Sequence, residues 1–181
     1  MLPPPDRRRR ILTLALPIIG GMVSQNVLNL VDTAMVGRLG DAALGAVGLG
    51  GFAVFMCMAL VLGISTGVQA TAARRKGEGL TGEMAHSLNA GLIIVWVVAP
   101  VLSLVLVLAT PSLYHLLNDD PGVMALGIPY LQVRLLSIVF GATNFAFRGY
   151  WNAVDRPGLY MMTLLVMHTV NIFLNWVLIF G

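Results

Sequence analysis

The stretch Asn29-Leu30-Val31-Asp32-Thr33-Ala34-Met35-Val36 places a carboxylate near the end of an apolar run that begins at Ile11. A membrane-spanning helix needs about 20 predominantly apolar residues, and this run is long enough. A charged side chain at the centre of a span costs about 2.5 to 3.5 kcal/mol on insertion scales, so such residues are usually partnered and often mark an ion or proton pathway. The sequence therefore predicts a membrane helix in which Asp32 needs a partner.

The composition extends this prediction to the whole chain. Of its 181 residues, 57% are hydrophobic and only 10% are charged, whereas soluble domains carry about 25% charged residues. The mean hydropathy is +0.85. We therefore predict an all-α membrane protein with five transmembrane helices. The expected spans are residues 11–36, 42–73, 84–114, 123–148 and 159–180, which together form one helical bundle over 11–181.

Basic residues predict the orientation of these spans, because Lys and Arg in short loops are retained on the cytoplasmic side. They cluster at Arg7–Arg10, at Arg74–Lys76, and at Arg148 and Arg156 around the turn between the fourth and fifth spans. All three clusters fall on one side of a five-span topology. Residues 1–10 are therefore expected to form a basic cytoplasmic tail of a multi-pass inner-membrane protein, with Gly181 outside.

The arginine run before Ile11 has two other interpretations. It resembles the start of a secretory signal, but the apolar run exceeds signal length and no cleavage site closes it, which favours a retained span. It could also bind nucleic acid, yet anchoring to anionic lipid headgroups is the simpler explanation. We expect membrane lipid, and no nucleic acid, as its partner.

Two further features are expected to serve packing. Cys57 is the only cysteine, so the chain can form no intrachain disulfide and no Cys-x-x-Cys zinc site. The glycines concentrated between Gly37 and Gly51 do not follow the spacing of a nucleotide-binding loop. Small residues let membrane helices approach closely, so we assign these glycines to helix contacts.

One face of the first span is polar. Gln25, Asn29 and Asp32 fall within about 60° of one another at 100° per residue. A polar face of this kind should line the interior of a bundle or a watered cavity. The fifth span repeats the pattern with His168, Asn171 and Asn175.

Depth relates the two polar faces. Asp32 precedes the outer end of its span by four residues, and Asn175 precedes the outer end of its own by five. At 1.5 Å per residue, both lie about 6 to 8 Å below the boundary. We therefore expect Asp32 to meet Asn171 and Asn175, with Gln25, Asn29 and His168 as polar residues of the cavity.

Other interpretations of these polar residues stay open. Amide side chains often only hold membrane helices together, at about 0.6 kcal/mol on average, and Asp32 could belong to such a network. Arg134 is expected to extend its charge toward the interface. Pro17 removes a backbone donor and should divide the first span into two segments at a kink. That kink is either purely structural or a hinge whose angle follows the state of Asp32.

Several motifs together resemble the multidrug and toxic compound extrusion family. The most specific is Asp32-Thr33 followed by Gly37-Arg38-Leu39-Gly40, with Pro17 upstream. The weaker ones follow in the family's order: Gln69 to Gly77, Arg148-Gly149, Asp155-Arg156-Pro157, and Asn171 to Asn175. The resemblance covers the whole chain.

The resemblance implies a fold and an activity. Family members have twelve helices in two six-helix lobes, so the chain resembles an N-terminal lobe without its sixth helix, and the C-terminal lobe of the same polypeptide is the expected missing partner. The implied activity is secondary active export of drugs or small organic cations in exchange for sodium or protons, without a cofactor or enzymatic step. Asp32 stands at the coupling position, and with Asn171 and Asn175 it forms a candidate sodium site. Some branches carry a carboxylate where this chain has Asn175.

Two alternatives belong to other functional classes. A lipid-linked oligosaccharide flippase of the same superfamily would line its cavity with basic residues, for which Arg134 is the one candidate in the interior stripe. A structural membrane subunit without a substrate would fill the Asp32 face by tight packing.

Overall fold

The computed structural model describes residues 4–181, apart from the side chains of Pro5 and Leu60. Within this part of the chain all regular structure is helical, which confirms the all-α prediction. Short 3₁₀ turns at Gly37–Leu39 and Thr81–Glu83 precede the second and third helices. The α-helices are α1 Pro5–Val36, α2 Asp41–Gly77, α3 Met84–Leu117, α4 Pro121–Leu136, α5 Ile138–Ala153 and α6 Pro157–Phe180.

Four of these helices, α1, α2, α3 and α6, are long and apolar enough to cross a membrane. The helices α4 and α5 meet at a 45° bend and make a fifth span when they are taken together. The expected span over 123–148 falls on these two helices, with the bend in its interior. At the bend, the Ser137 hydroxyl donates to the Arg134 carbonyl at 2.7 Å, and such back-bonding bends helices.

The helix α1 begins earlier than the sequence suggested. Pro5 occupies its first turn, where the missing N–H of proline has no intrahelical partner to lose. Arg7–Arg10 therefore continue the helix, and residues 1–3 of the expected tail lie outside the described residues. The helix also runs on through Pro17 without interruption, so the predicted division into two segments is not observed there.

The bundle consists of two groups of helices. The core lies within α2 to α5 and contains Val54, Val95, Leu131, Ile138 and Ala142, all buried. The helix α1 packs mainly against α6, and this pair touches the other four helices through far fewer residues. A cleft is therefore left between the α1–α6 pair and the face formed by α2 and α5.

Several glycines lie where two helices approach closely, but only some of them are glycines that the sequence analysis assigned to helix contacts. A Cβ at Gly149 of α5 would collide with the Ser65 carbonyl oxygen of α2. Within the glycine-rich segment, Gly45 faces Val123 and Gly50 faces Tyr130, as predicted. Others in that segment have no such role among the described residues, since a Cβ at Gly37, Gly40, Gly48 or Gly51 would meet nothing within 4 Å. Gly40 instead forms a turn at φ 105°.

Candidate functional site

The intramembrane carboxylate is held between two helices. The Asn175 side chain on α6 donates from Nδ2 to Asp32 Oδ1 at 2.9 Å, and its Nδ2 also lies 3.2 Å from Asn171 Oδ1. All three side chains are half-buried. The structure thus brings together the three residues that the sequence analysis grouped as an ion site.

A second polar contact joins the same helices. Gln25 Oε1 lies 3.2 Å from His168 Nε2, and Gln25 Nε2 donates to Asn29 Oδ1 at 3.2 Å. His168 is only 5% exposed, and its Nδ1 is buried without a partner among the described residues. A neutral imidazole with its proton on Nε2 would donate to Gln25.

The two contacts show how α1 and α6 are aligned. Each joins residues 143 positions apart, Gln25 to His168 and Asp32 to Asn175. A constant separation means that the helices run parallel and in register. Within each helix the two contact residues are seven positions apart, which places them on one face about 10.5 Å apart along the axis. We call these contacts together the polar stripe. Its carboxylate level is the contact at Asp32, and its imidazole level is the contact at His168.

The carboxylate level consists of oxygen and amide groups from three side chains, Asp32, Asn171 and Asn175. An ionised carboxylate offers about four lone-pair sites, and Asn175 occupies one of those of Asp32. The Asn171 amide oxygen accepts from the same Asn175 Nδ2. The described residues contain no group of three His, Cys, Asp or Glu side chains that could hold a metal, so a cation at Asp32 would depend on amide oxygens.

A cavity of about 350 Å³ lies in the cleft between the α1–α6 pair and the face of α2 and α5. Gln25 lines it as expected, together with Asn26 from the next position on α1. Asn29 and His168 are not part of its lining: Asn29 is exposed and His168 is buried against Gln25. Asp32 also lies outside this cavity, toward the end of α1.

Sequence reasoning missed two residues of this cavity, Arg148 and Asn152. Arg148 was assigned to the turn after the fourth span, but it lies within α5 and lines the cavity. Asn144, Arg148 and Asn152 recur every four residues, so they share one helix face. That periodicity was the available signal, and the apparent position of Arg148 at a span end concealed it.

At the end of the bundle opposite Asp32, one acidic residue forms ion pairs with two basic residues. Asp155 Oδ2, in the turn between α5 and α6, pairs with Lys76 at 2.6 Å and Arg10 at 2.9 Å. The hydrogen bond from Lys76 is the main cause that lowers the pKa of Asp155 below its ordinary value. Asp155 has a φ of 61°, a left-handed conformation that Asp and Asn tolerate better than most residues.

The chain is therefore a helical bundle in which a carboxylate is held between two parallel helices, near a cleft whose mostly apolar wall carries a few polar side chains. A family model described as MatE matches residues 17–177. The chain belongs to this family, the multidrug and toxic compound extrusion family that its motifs resemble. Its relatives are named as multidrug resistance proteins, and one solved structure is described as a multidrug resistance MATE family transporter, so the family is one of transporters and not of enzymes.

Individual relatives agree with this assignment. The chain is 33% identical over 172 residues to a probable multidrug resistance protein NorM of Rhodopseudomonas palustris, covering 94% of this chain and 36% of that protein. Two solved structures, described as MATE in the straight conformation and in the bent conformation, superpose with TM-scores of 0.86 and 0.87 at 27% identity. They match 94% and 97% of this chain, which covers 38% and 39% of theirs. The chain thus spans under two fifths of its relatives' length.

Proposed function

We propose that this chain is the ion-coupling lobe of an efflux transporter that exports small organic molecules in exchange for sodium or protons. The observation that carries the proposal is the hydrogen-bonded group of Asp32, Asn175 and Asn171 between α1 and α6. Because the relatives are longer, a second lobe is proposed to complete the substrate pathway. The basic end is assigned to the cytoplasm by the distribution of Lys and Arg.

The coupling step follows from the charge at Asp32. Arrival of one sodium ion or one proton neutralises a carboxylate whose hydrogen-bond partner among the described residues is the Asn175 amide. An organic cation attracted to the ionised carboxylate would then lose its counter-charge and be released. The same charge cannot serve both cations at once, so binding of the ion and of a cationic substrate are mutually exclusive, as exchange requires.

The energy of one ion is sufficient for this exchange. Moving one elementary charge through 100 mV supplies about 2.3 kcal/mol. At 1.4 kcal/mol for each tenfold change, that sustains roughly a fifty-fold gradient of substrate. A single carboxylate is therefore adequate, and Asn175 need not be acidic.

Pro17 is proposed as the hinge of this step. Proline removes one i to i−4 hydrogen bond from the helix interior, so α1 has a weak point between its basic end and Asp32. Two solved relatives are described as straight and bent forms. For this chain we propose that neutralising Asp32 changes the bend of α1. Pro17→Ala should then keep sodium binding and slow transport.

The test compares Asp32→Asn with Asp41→Asn. Asp41 is an exposed acid at the start of α2, outside the polar group, so it controls for the loss of one negative charge. We expect Asp32→Asn to abolish sodium- or proton-driven drug efflux from cells that express the chain together with the proposed second lobe, and to abolish binding of radioactive sodium to the purified chain. Asp41→Asn should retain both. Efflux that is unchanged in Asp32→Asn would remove the coupling role.

A further inference from the structure

His168 is a titratable side chain in the interior of a membrane-spanning helix. It lies near the middle of α6, which runs from Pro157 to Phe180, and it is 5% exposed. Ionisable residues within membrane spans are rare, and they mark ion and proton pathways. The coupling step proposed for Asp32 makes no use of this imidazole, so its own role has to be found from its contacts.

The two ring nitrogens of His168 have different surroundings. Nε2 lies 3.2 Å from Gln25 Oε1, and Gln25 Nε2 donates to Asn29 Oδ1 at 3.2 Å, which leaves Oε1 to accept from the ring. The neutral imidazole therefore carries its hydrogen on Nε2 and keeps a lone pair on Nδ1. Nδ1 is buried and has no hydrogen-bond partner among the described residues. It is the atom at which this ring would take up a proton.

A proton on Nδ1 does not suit the arrangement of α1 and α6 described above. It would turn Nδ1 into a charged donor without an acceptor among the described residues. A buried donor that is left unpaired is costly, and more so when it is charged. The charged ring is therefore stable only where water or another acceptor reaches Nδ1. Protonation of His168 thus favours a different packing of the α1–α6 pair.

Few titratable groups lie on the helices that pack against His168. The helix α6 packs against α1 and α5. On the apolar part of α1, Asp32 is the one titratable side chain. On α5 the titratable groups are Arg148 and Tyr150, and the Arg148 guanidinium lies beside Tyr160, about 12 Å before His168 along α6. Within the spans of these three helices, the one acidic side chain is therefore Asp32, one level away in the polar stripe.

We propose that His168 is the proton-binding residue of the exchanger, while Asp32 with its amide neighbours binds sodium. The proposal rests on the proposed function, since it assigns the two coupling ions to different levels of the polar stripe. With Asp32 ionised and His168 neutral, the stripe carries one negative charge. One sodium ion at Asp32 or one proton at His168 Nδ1 brings this charge to zero, as does one organic cation. Each of these three cations therefore opposes binding of the other two.

The two levels are close enough for this opposition to be measured. They lie about 10.5 Å apart along the helix axis. At an effective dielectric constant of about 20, two unit charges at this distance change each other's binding affinity roughly tenfold. Sodium at Asp32 should therefore weaken proton binding at His168 about tenfold, which moves the titration by about one pH unit.

The first test reads the imidazole itself, by nitrogen-15 NMR of the purified full chain in lipid nanodiscs. The chain has three histidines, and His86 and His115 are exposed, so they are internal controls whose signals His86→Gln and His115→Gln assign. We expect the His168 signal to change from the neutral to the charged form between about pH 8 and about pH 5. Sodium should move this change about one unit toward lower pH and leave the two control signals in place. A His168 ring that stays neutral over this range without sodium, or a titration that sodium does not move, would overturn the proposal.

The second test separates the two driving ions. Vesicles that contain the chain with the proposed second lobe receive either a proton gradient without sodium or a sodium gradient at constant pH. His168→Gln keeps an amide donor for Gln25 but cannot take up a proton. It should lose proton-driven drug transport and retain sodium-driven transport, whereas His115→Gln should retain both.

The other outcomes of this transport test would overturn the proposal. If His168→Gln retained both activities, the imidazole would not carry the proton. If a folded His168→Gln lost both, the role of His168 would be structural. Helical circular dichroism and elution volume check that the variant folds, and if it does not, the NMR titration of the wild type decides.

The proton site and the coupling role of Asp32 can fail separately. Binding of radioactive sodium, compared between the wild type and Asp32→Asn, tests the coupling role without His168. The His168 signal in sodium-free buffer tests the proton site without sodium. A chain that binds sodium through Asp32 while His168 stays neutral would keep the proposed function and overturn this inference.

Discussion

The Asn175 amide on α6 donates a hydrogen bond of 2.9 Å to Asp32 Oδ1 on α1, although the residues are 143 positions apart. The contact between His168 and Gln25 repeats the same separation two helical turns away. Parallel, in-register helices explain both. The α1–α6 pair is therefore a unit joined by two polar contacts, and it packs beside a four-helix group that has its own buried apolar core.

Removing the Asn175 amide should weaken this unit. Hydrogen bonds between membrane helices contribute about 0.6 kcal/mol on average and up to about 1.7. Asn175→Ala should fall in the upper part of that range because its partner is charged. The free energy of unfolding can be measured by steric trapping in lipid discs. Asn29→Ala is the control, since among residues 4–181 the Asn29 side chain bonds only to Gln25 on its own helix. An equal loss in both variants would contradict the prediction.

Gly149→Ala should destabilise the contact between α5 and α2. An added Cβ would collide with the Ser65 carbonyl oxygen, and backbone cannot move aside as a flexible side chain can. Overpacking of this kind costs about 1 to 3 kcal/mol. Gly67→Ala on α2 is the matched control, because a Cβ there meets nothing within 4 Å. It should be neutral or stabilising by about 0.5 to 1 kcal/mol. Thermal unfolding in detergent compares the two, and a Gly149→Ala variant as stable as Gly67→Ala would be inconsistent with the close approach.

The ion pairs of Asp155 should make stability depend on pH in the acid range. Its pKa is lowered in the folded chain, first by the hydrogen bond from Lys76. The folded state therefore favours the carboxylate, and the resulting stability is present above the ordinary pKa of 3.8. It is lost as the pH falls through the lower folded value. Asp155 is partly exposed, so the effect should stay below about 1 kcal/mol.

Thermal unfolding of the wild type and of Asp155→Asn checks this pH dependence. The measurements run from about pH 6 to about pH 3, a range that includes the ordinary pKa of a carboxyl group. Asn tolerates the left-handed backbone of position 155, so the substitution removes charge without new strain. The two curves should converge at the acid end. In a double-mutant cycle with Lys76→Met the effects should not be additive; additive effects would mean that the pair contributes nothing.

Tyr114→Phe should destabilise the core of the four-helix group modestly. Its hydroxyl donates to the Ala46 carbonyl at 3.1 Å, and the side chain is 1% exposed. Loss of one such bond costs about 0.5 to 1.5 kcal/mol. Tyr130→Phe serves as the control, because within the described residues the Tyr130 hydroxyl makes no hydrogen bond. A cost for Tyr130→Phe that matches that of Tyr114→Phe would argue against this bond.

Depth and helical periodicity were enough to predict the meeting of Asp32 with Asn175. Both properties follow from the position of a residue within its own span, since the bilayer aligns the ends of the spans. The bend at Ser137 was not predictable in this way, because an apolar run has the same composition whether it is straight or bent. Arg148 was misplaced for the same reason: a residue close to a span end can extend toward water or turn inward between aromatic rings.

The sequence by itself determined that this chain is a helical membrane protein with one intramembrane carboxylate that needs a partner. Hydropathy and charge are properties of each residue, so they can be assigned before the fold is known. Tertiary structure alone decided that the α1–α6 pair makes few contacts with α2, and that a cleft with Arg148 and Asn152 on its wall is left beside the pair. Which helix faces which depends on the fit of side chains from distant segments, such as Gly149 against Ser65. Such complementarity exists only once the helices have packed.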